Sequence, residues 1–352
     1  MKPSLNARGT LRDVAKALGI SHTTVSNAFN RPDQLSPELR EKIMTTARAM
    51  KYSGPNPAAR MLNTGYAQTI AVVWAESLRG AFEDQAASAF LGGVAEACAE
   101  RGLGMLLFQV QGTSPSIIQA AVVDGFIFYS VAKDDVTFKL AIERGLPMVV
   151  IDRKLHSRIP YIGIDNRAAA RACAQHLRDL GHERIAIVSL KLNFDGYRGF
   201  IDEQRVKSSP LDLANRIKGY QDVLGKGRSK IPVRIWESPS SSKEEGRIAA
   251  ENFFLEDDRP TAILAASDRL AIGVIEAARS HGIQVPRDLS VVGFDDIPAA
   301  QVVAPQLTTV HQPFTEKGRL AVSALLDEKA PLRRELPTRL VIRQSTDKPN
   351  LG

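Results

Sequence analysis

Residues 10–65, TLRDVAKALGISHTTVSNAFNRPDQLSPELREKIMTTARAMKYSGPNPAARMLNTG, decide how this chain is read. They spell a short helix, a tight turn, a second short helix, a loop and a third helix. Thr10 stands three residues before Asp13, the spacing of a capping box that satisfies the orphan amides of a first turn. Gly19 closes that helix, because glycine accepts the left-handed backbone that a sharp exit needs. Ser21 starts the second helix, and Ser36 followed by Pro37 starts the third. Leu11, Val14, Ala15, Leu18, Ile20, Val25, Ala28, Phe29, Leu39, Ile43, Ala47 and Met50 recur at spacings of three and four. That is enough to bury one small core among three helices.

The second helix carries a short polar face: Ser21, His22, Thr23, Thr24, Ser26 and Asn27, with Val25 and Phe29 turned inward. In a helix-turn-helix, the N-terminal part of the second helix lies in the major groove and its polar side chains meet base edges. Hydroxyls suit phosphates and either type of base edge, and an Asn can pair bidentately with adenine. The competing reading is a polar cap on an ordinary helical hairpin. Charge weighs against it. Residues 1–65 carry ten Lys or Arg against four acids, a net +6 of the chain's +7. A basic segment attached to a nearly neutral body is the electrostatic footprint of a phosphate-binding module. These helices lack the broad apolar face that a membrane-surface helix requires.

The segment resembles the headpiece of the lactose/galactose repressor family of bacterial transcription regulators. The resemblance rests on Leu11-Arg-Asp-Val-Ala15, Gly19-Ile-Ser21, Thr24-Val-Ser26 and Pro55-Asn-Pro-Ala-Ala-Arg-Met-Leu62, and it continues through the rest of the chain. It implies that His22, Thr23 and Asn27 choose the operator sequence, while Thr10, Ser21, Thr24, Ser26 and Asn30 hold phosphates, with Leu11 in the same DNA-binding set. Members often carry an Arg where this chain has Asn27, so a different operator preference is expected. Ser53, Gly54, Pro55 and Pro57 break the third helix, and residues 58–62 can then form a helical piece too short to be stable alone. It would fold on contact with DNA and a symmetry mate. In the family this is the hinge helix, which implies DNA contacts from Asn56 and Ala59 and a wedge, Leu62, in the minor groove. The competing reading is a flexible tether. The expected division is a headpiece over 1–54, a hinge over 55–66 and an effector-binding and dimerisation domain over 67–346.

About 290 residues after the linker are too many for one small core and suit two lobes. Apolar β-rich runs fall at 69–74, 103–110, 122–129, 147–152, 160–164, 184–190, 261–266 and 289–294. Helical patterns lie near 86–101, 134–144, 166–180, 212–225, 243–256 and 268–281. Continuous apolar strands separated by amphipathic helices predict parallel sheets covered on both faces. The expected fold is therefore an all-α helix-turn-helix headpiece followed by an α/β, two-lobed, periplasmic-binding-protein-like domain, with a ligand in the cleft at the strand ends. Residues 328–340 read as a loop between the last helix and a final strand. Cys98 and Cys173 fit no metal or redox spacing. No secretion-signal run or membrane-length apolar stretch stands out, so a cytoplasmic location is expected.

Further family marks are Asp165-Asn166, Leu180-Gly-His-Glu-Arg-Ile185, Arg216-Ile-Lys-Gly-Tyr220, Ser267-Asp-Arg-Leu-Ala-Ile-Gly273, Val292-Gly-Phe-Asp-Asp296 and Pro305-Gln-Leu-Thr-Thr-Val310. A guanidinium such as Arg216 offers a planar donor fork, and a carboxylate such as Asp295 accepts paired hydroxyls. Trp74 and Phe90 are candidates to pack on a sugar ring. The resemblance implies effector contacts from Asp152, Arg216, Ser267 and Asp295, and from Ser241. Against these stand plainer roles: Asp295 and Asp152 as helix caps or turn formers, Asp268 as a helix-start residue, His182 as a structural turn residue and Trp236 as core. One departure from the family is a longer run, Lys191 to Leu213, between a strand and Arg216. It either reaches over the cleft or lies on the surface.

No Walker loop, GxSxG elbow, HExxH or dinucleotide fingerprint is present, so no enzyme is expected, and no metal or cofactor. The reading that follows is a homodimeric repressor of a near-palindromic operator, controlled by a small-molecule effector, a sugar or derivative being the family's commonest class. No leucine-heptad tail is seen, which favours a dimer. The rival reading is a two-lobed sensor or sugar-acting enzyme without operator binding.

Overall fold

The computed structural model describes residues 9–350 apart from 55–60, 62–63, 113, 133, 155, 157, 210–212, 226–232 and 328–332. It divides into two compact units, Met1–Ala67 and Gln68–Gly352.

The first unit is a three-helix bundle of α1 (Leu11–Leu18), α2 (His22–Asn30) and α3 (Pro37–Ala49). The capping box forms: Thr10 Oγ1 accepts from the Asp13 amide at 3.3 Å, and Asp13 Oδ2 accepts from the Thr10 amide at 2.8 Å. Gly19 takes φ 65° and makes the turn into α2. Ser21 caps α2 through the Thr24 amide, and Ser36 caps α3 through the Leu39 amide. Val14, Ala15, Val25, Ala28, Ile43 and Ala47 form the buried core. Phe29 closes it edge-on against Tyr52, ring centroids 5.5 Å apart.

The second unit has two lobes. The first is a six-stranded parallel sheet in the order β12-β5-β4-β3-β1-β2, formed by Thr69–Trp74 (β1), Gly104–Gln109 (β2), Gly125–Tyr129 (β3), Met148–Ile151 (β4), Tyr161–Ile164 (β5) and Arg333–Leu336 (β12). The second is a five-stranded sheet, β10-β9-β6-β8-β7, formed by Ile185–Leu190 (β6), Gly199–Ile201 (β7), Ile235–Ser238 (β8), Ala262–Ala265 (β9) and Ser290–Val292 (β10). Only β7 runs antiparallel in it. A two-stranded ribbon of Thr309–His311 (β11) and Arg339–Val341 (β13) completes the unit. The described chain passes between the lobes at Asp165, at Gln312–Pro313 and between Leu336 and Arg339. The eight expected strands form, because each is apolar on both faces; β1, for example, buries Ile70, Ala71, Val72 and Val73 completely.

Part of the stretch expected as a loop, 328–340, is instead the edge strand β12. Its sequence, RREL, is polar because three of its four residues face solvent. The strand β8 was not legible either, since its Glu237 interrupts an apolar run; that carboxylate is fully buried and paired with Arg205.

Helices cross with backbones nearly touching. A Cβ on Gly93 of helix Gln85–Glu100 would meet the Thr315 carbonyl oxygen at 2.0 Å, and one on Gly318 of helix Phe314–Leu326 would meet that of Phe90 at 2.2 Å. The second lobe repeats the device with Gly246 and Gly273 between helices Lys243–Phe254 and Asp268–Ser280. A side chain at any of these positions would force the helices apart.

His182 is buried in the turn before β6. Its Nδ1 pairs with Thr261 Oγ1 at 2.9 Å, and its Nε2 lies 2.8 Å from the Asp347 carbonyl oxygen, tying down the chain's last described residues. Burial lowers its pKa below the ordinary value, so the native state keeps the ring neutral while the unfolded chain takes up a proton. The stabilisation is full above about pH 6.5 and is lost as pH falls toward the folded value, by at most about 1.4 kcal/mol per pH unit. His176, also lowered by burial, acts in the same sense. Asp268, pushed up to about 6 by burial, acts oppositely between its unfolded and folded values. In denaturation midpoints measured from pH 7 to 5, His182→Gln is expected to flatten the decline relative to wild type, Asp268 being common to both. An unchanged slope would remove His182 as a titrating group.

Candidate functional site

Two surfaces carry functional chemistry, one in each unit. On the headpiece, His22 and Thr23 are exposed at the start of α2, and Asn27 is partly exposed one turn later. Ser21 and Thr24 share a hydroxyl–hydroxyl bond of 2.8 Å, and Asn30 Nδ2 donates to Ser26 Oγ at 3.2 Å. Asn27 Nδ2 donates to Gln34 Oε1 at 3.2 Å, so Gln34, in the 3₁₀ turn Pro32–Gln34, joins the polar face, although no periodicity in the sequence marks it. Thr10 is exposed, whereas Leu11 is partly buried against the bundle core. Asn56, Ala59 and Leu62 lie outside the described residues.

In the second unit, a cavity of about 300 Å³ opens between the lobes at the strand ends. Trp74, Asp152, Arg216, Ser241, Ser267 and Asp295 all line it. Phe90 does not. The register of helix Gln85–Glu100 turns Phe90 inward, fully buried beneath Trp74 and Tyr129, with ring centroids 6.3 and 4.8 Å away. Tyr129 takes the wall position instead, stacked on Trp74 at 4.0 Å. Trp236 lies in the core, edge-on to Phe200. Asp268 is fully buried at its helix start, accepting from the Ile297 amide at 2.9 Å and from the Thr309 hydroxyl.

Arg216 is held rigidly. Its Nε donates to Asn166 Oδ1 at 2.8 Å, Nη1 donates to the Ala266 carbonyl, and the guanidinium lies 3.8 Å over the Phe294 ring. Asp295 Oδ1 stands 3.9 Å from Arg216 Nη1 and accepts from Gln312 Nε2 at 2.6 Å. Burial pushes the Asp295 carboxyl well above the ordinary range, against the pull of Arg216. Asp152 is paired from behind by Lys317, whose side chain is 0% exposed; Nζ reaches Oδ1 at 2.7 Å and Oδ2 at 2.9 Å. Ser241 donates to Ser267 Oγ at 2.9 Å, and Ser267 caps the helix behind it.

Backbone strain collects here. Ser130, Asp152, Asp295 and Asp296 all adopt positive φ (53°, 56°, 130° and 58°). Such conformations cost about 1–3 kcal/mol each and persist where the surroundings over-determine them, as at sites that must aim a side chain.

Every acid lining the cavity has a cation within reach: Glu76 with Lys191 at 2.5 Å, Glu83 with Arg79 at 3.1 Å, Asp84 with Arg269 at 3.6 Å, and the Asp152 and Asp295 pairs above. Two of these, Glu76–Lys191 and Asp84–Arg269, join one lobe to the other. Among the described residues no group of three His, Cys, Asp or Glu side chains is placed to hold a metal ion, and no helix is long and apolar enough to cross a membrane.

Sequence reasoning missed Lys317, Gln312 and Asn166 as parts of the site. For Lys317 a signal exists: it shares a helical stripe with Ala321 and Leu325, both buried. Gln312 and Asn166 sit at lobe crossings; Asn166 belongs to the Asp165-Asn166 mark noted above, and Gln312 carries no local pattern.

Comparison with known proteins agrees with this fold. Residues 10–56 match the family described as bacterial regulatory proteins, lacI family, and residues 174–346 match the periplasmic binding protein-like domain. An HTH-type transcriptional regulator of Mycobacterium tuberculosis is 39% identical over 346 residues, covering 96% of this chain and 95% of the relative. The lac repressor dimer bound to operator and the anti-inducer ONPF superimposes with a TM-score of 0.79 at 25% identity, covering 97% of this chain and 100% of that one. A complex of the transcriptional regulator CelR with cellobiose gives 0.68 at 26% identity, with 96% and 100% covered.

Proposed function

Because this chain belongs to the lacI family of bacterial regulatory proteins, we propose that it is a repressor that binds a near-palindromic operator as a homodimer, controlled by a sugar or sugar derivative held in the interlobe cavity. The observation that carries the ligand class is the internal pairing of the cavity's carboxylates. Every lining acid already has a cation within reach, so none is left for a cationic ligand, and the lining Arg153 turns Nη1 to the Val131 carbonyl. What it offers is serine hydroxyls, amides and paired carboxylate–cation edges, the donors and acceptors that uncharged hydroxyls use. The cellobiose complex of a structural neighbour supports the same class.

On the DNA side, α2 enters the major groove with His22, Thr23 and Asn27 toward base edges, while Thr10, Ser21, Thr24, Ser26 and Asn30 secure phosphates. Leu11 backs this face, and Asn56, Ala59 and Leu62 belong to the hinge. The operator-bound dimer of a structural neighbour supports two-fold binding. A ligand that touches both lobes stabilises one lobe angle over another, and it controls DNA binding only by that difference in affinity.

The experiment is fluorescence anisotropy on duplexes tiling the DNA upstream of the gene, across a salt series and then with a panel of sugars. Tight binding to one palindromic tile, changed by one sugar, is the expected result. No binding to any duplex by the folded protein would overturn it in favour of a sensor or sugar-acting enzyme. On the preferred tile, Asn27→Ala is expected to relax discrimination at individual base pairs by about 10- to 100-fold, the worth of a bidentate contact of about 1–3 kcal/mol. An unchanged preference profile would take Asn27 out of the reading set.

A further inference from the structure

The run from Lys191 to Leu213 contributes directly to the cavity, because Lys191, Phe194 and Leu213 are among the residues that line it. Its first part is braced. Leu192 is fully buried, and its amide donates to Glu237 Oε1 at 2.9 Å. Arg205 grips the same carboxylate through Nε at 2.5 Å and Nη2 at 2.9 Å, and holds Asp195 at 3.0 Å. The Arg205 guanidinium also lies 4.2 Å over the Tyr197 ring, and the Tyr197 hydroxyl donates to the Phe200 carbonyl at 2.7 Å. Residues 192, 195 and 197 are thus anchored, which holds the backbone at Phe194 in place at the cavity edge.

Phe194 nonetheless remains 50% exposed. The other cavity aromatics offer less open surface: Trp74 is 7% exposed with one face stacked on Tyr129, and Phe314 is 7% exposed. Lys191, 5.2 Å from the Phe194 ring centroid, is tied to Glu76 of the opposite lobe. A ring carried on an anchored backbone that leaves half its surface in water at the edge of a polar cavity gains by being covered. We propose that Phe194 is a specificity-determining residue of the ligand site, an aromatic platform that covers the apolar C–H face of a neutral sugar and is supplied by the lobe opposite Trp74. A ligand in contact with both rings bridges the lobes. The inference rests on the reading of the cavity as a sugar site.

The test is calorimetric titration of the full-length chain with glucose, ribose, maltose and cellobiose. Wild type, Arg216→Ala, Phe194→Ala and Phe194→Trp are compared, with thermal unfolding confirming that each variant is folded. The expected result is that a probe bound by wild type is lost by Arg216→Ala, weakened at least five-fold by Phe194→Ala, and recovered by Phe194→Trp. If Arg216→Ala abolishes binding while Phe194→Ala binds like wild type, or if Phe194→Trp binds no better than Phe194→Ala, the platform is overturned and the cavity reading stands. If no probe binds wild type, or if Arg216→Ala binds normally, the cavity reading itself falls and takes the platform with it.

Discussion

Lys317→Ala is expected to destabilise the second unit by about 3–5 kcal/mol, the usual cost of leaving one member of a buried ion pair without its partner. The ammonium is 0% exposed and its hydrogen bonds go to both oxygens of Asp152 and to Gln312 Oε1. Removing it leaves the Asp152 carboxylate, 19% exposed at the cavity wall, without its cation and leaves a void beneath helix Phe314–Leu326. Chemical denaturation read by intrinsic fluorescence would measure the loss. Adding Asp152→Asn should return part of the stability, because an amide tolerates the missing cation. Strictly additive losses in the double variant would mean that the pair contributes nothing as a pair. Lys317→Ala is also expected to weaken ligand binding, since the same ammonium orients Asp152 at the cavity wall.

Arg216→Ala is expected to lower ligand affinity at least about 100-fold while DNA affinity without ligand changes by no more than about three-fold. The guanidinium sits between Asn166, the Ala266 carbonyl, Phe294 and Asp295, so its orientation is settled before a ligand arrives. A preorganised planar fork making two charge-assisted hydrogen bonds, each contributing about 1.5–3 kcal/mol, accounts for a loss of that size. Arg216→Lys should recover little, because a single ammonium cannot reproduce the fork. Anisotropy titrations of operator DNA with and without the sugar would decide. A preserved sugar response in Arg216→Ala would move the effector site elsewhere.

What could be read from the sequence follows the range of the interactions involved. Helix caps are local, so the roles of Thr10, Gly19, Ser21 and Ser36 were legible within three or four residues. Strands buried on both faces announce themselves as apolar runs; β8 and β12 did not, because a buried Glu237 and an exposed RREL edge break that pattern. Along the cleft, Arg216, Asp295 and Ser267 follow strand ends or open helices. Their partners Asn166, Gln312 and Lys317 lie 17 to 165 residues from the groups they hold, and nothing local ties them to those groups, apart from the apolar helical stripe on which Lys317 falls and the Asp165-Asn166 mark. Phe90 and Tyr129 show the limit for aromatics: both belong to one cluster, and only the register of helix against sheet decides which of them meets the cavity.

The route of the chain through the lobes also sets an order of assembly. The first lobe begins at β1, yet its helix Phe314–Leu326 and edge strand β12 are the last large elements to leave the ribosome. Until then the face of β3, β4 and β5 that this helix covers stands bare, and Gly93 has no Gly318 opposite it. The sheet of the second lobe, all of it encoded between residues 185 and 292, is complete earlier. The lobe that starts first therefore finishes last, and during synthesis its uncovered apolar sheet is where a chaperone would have to act.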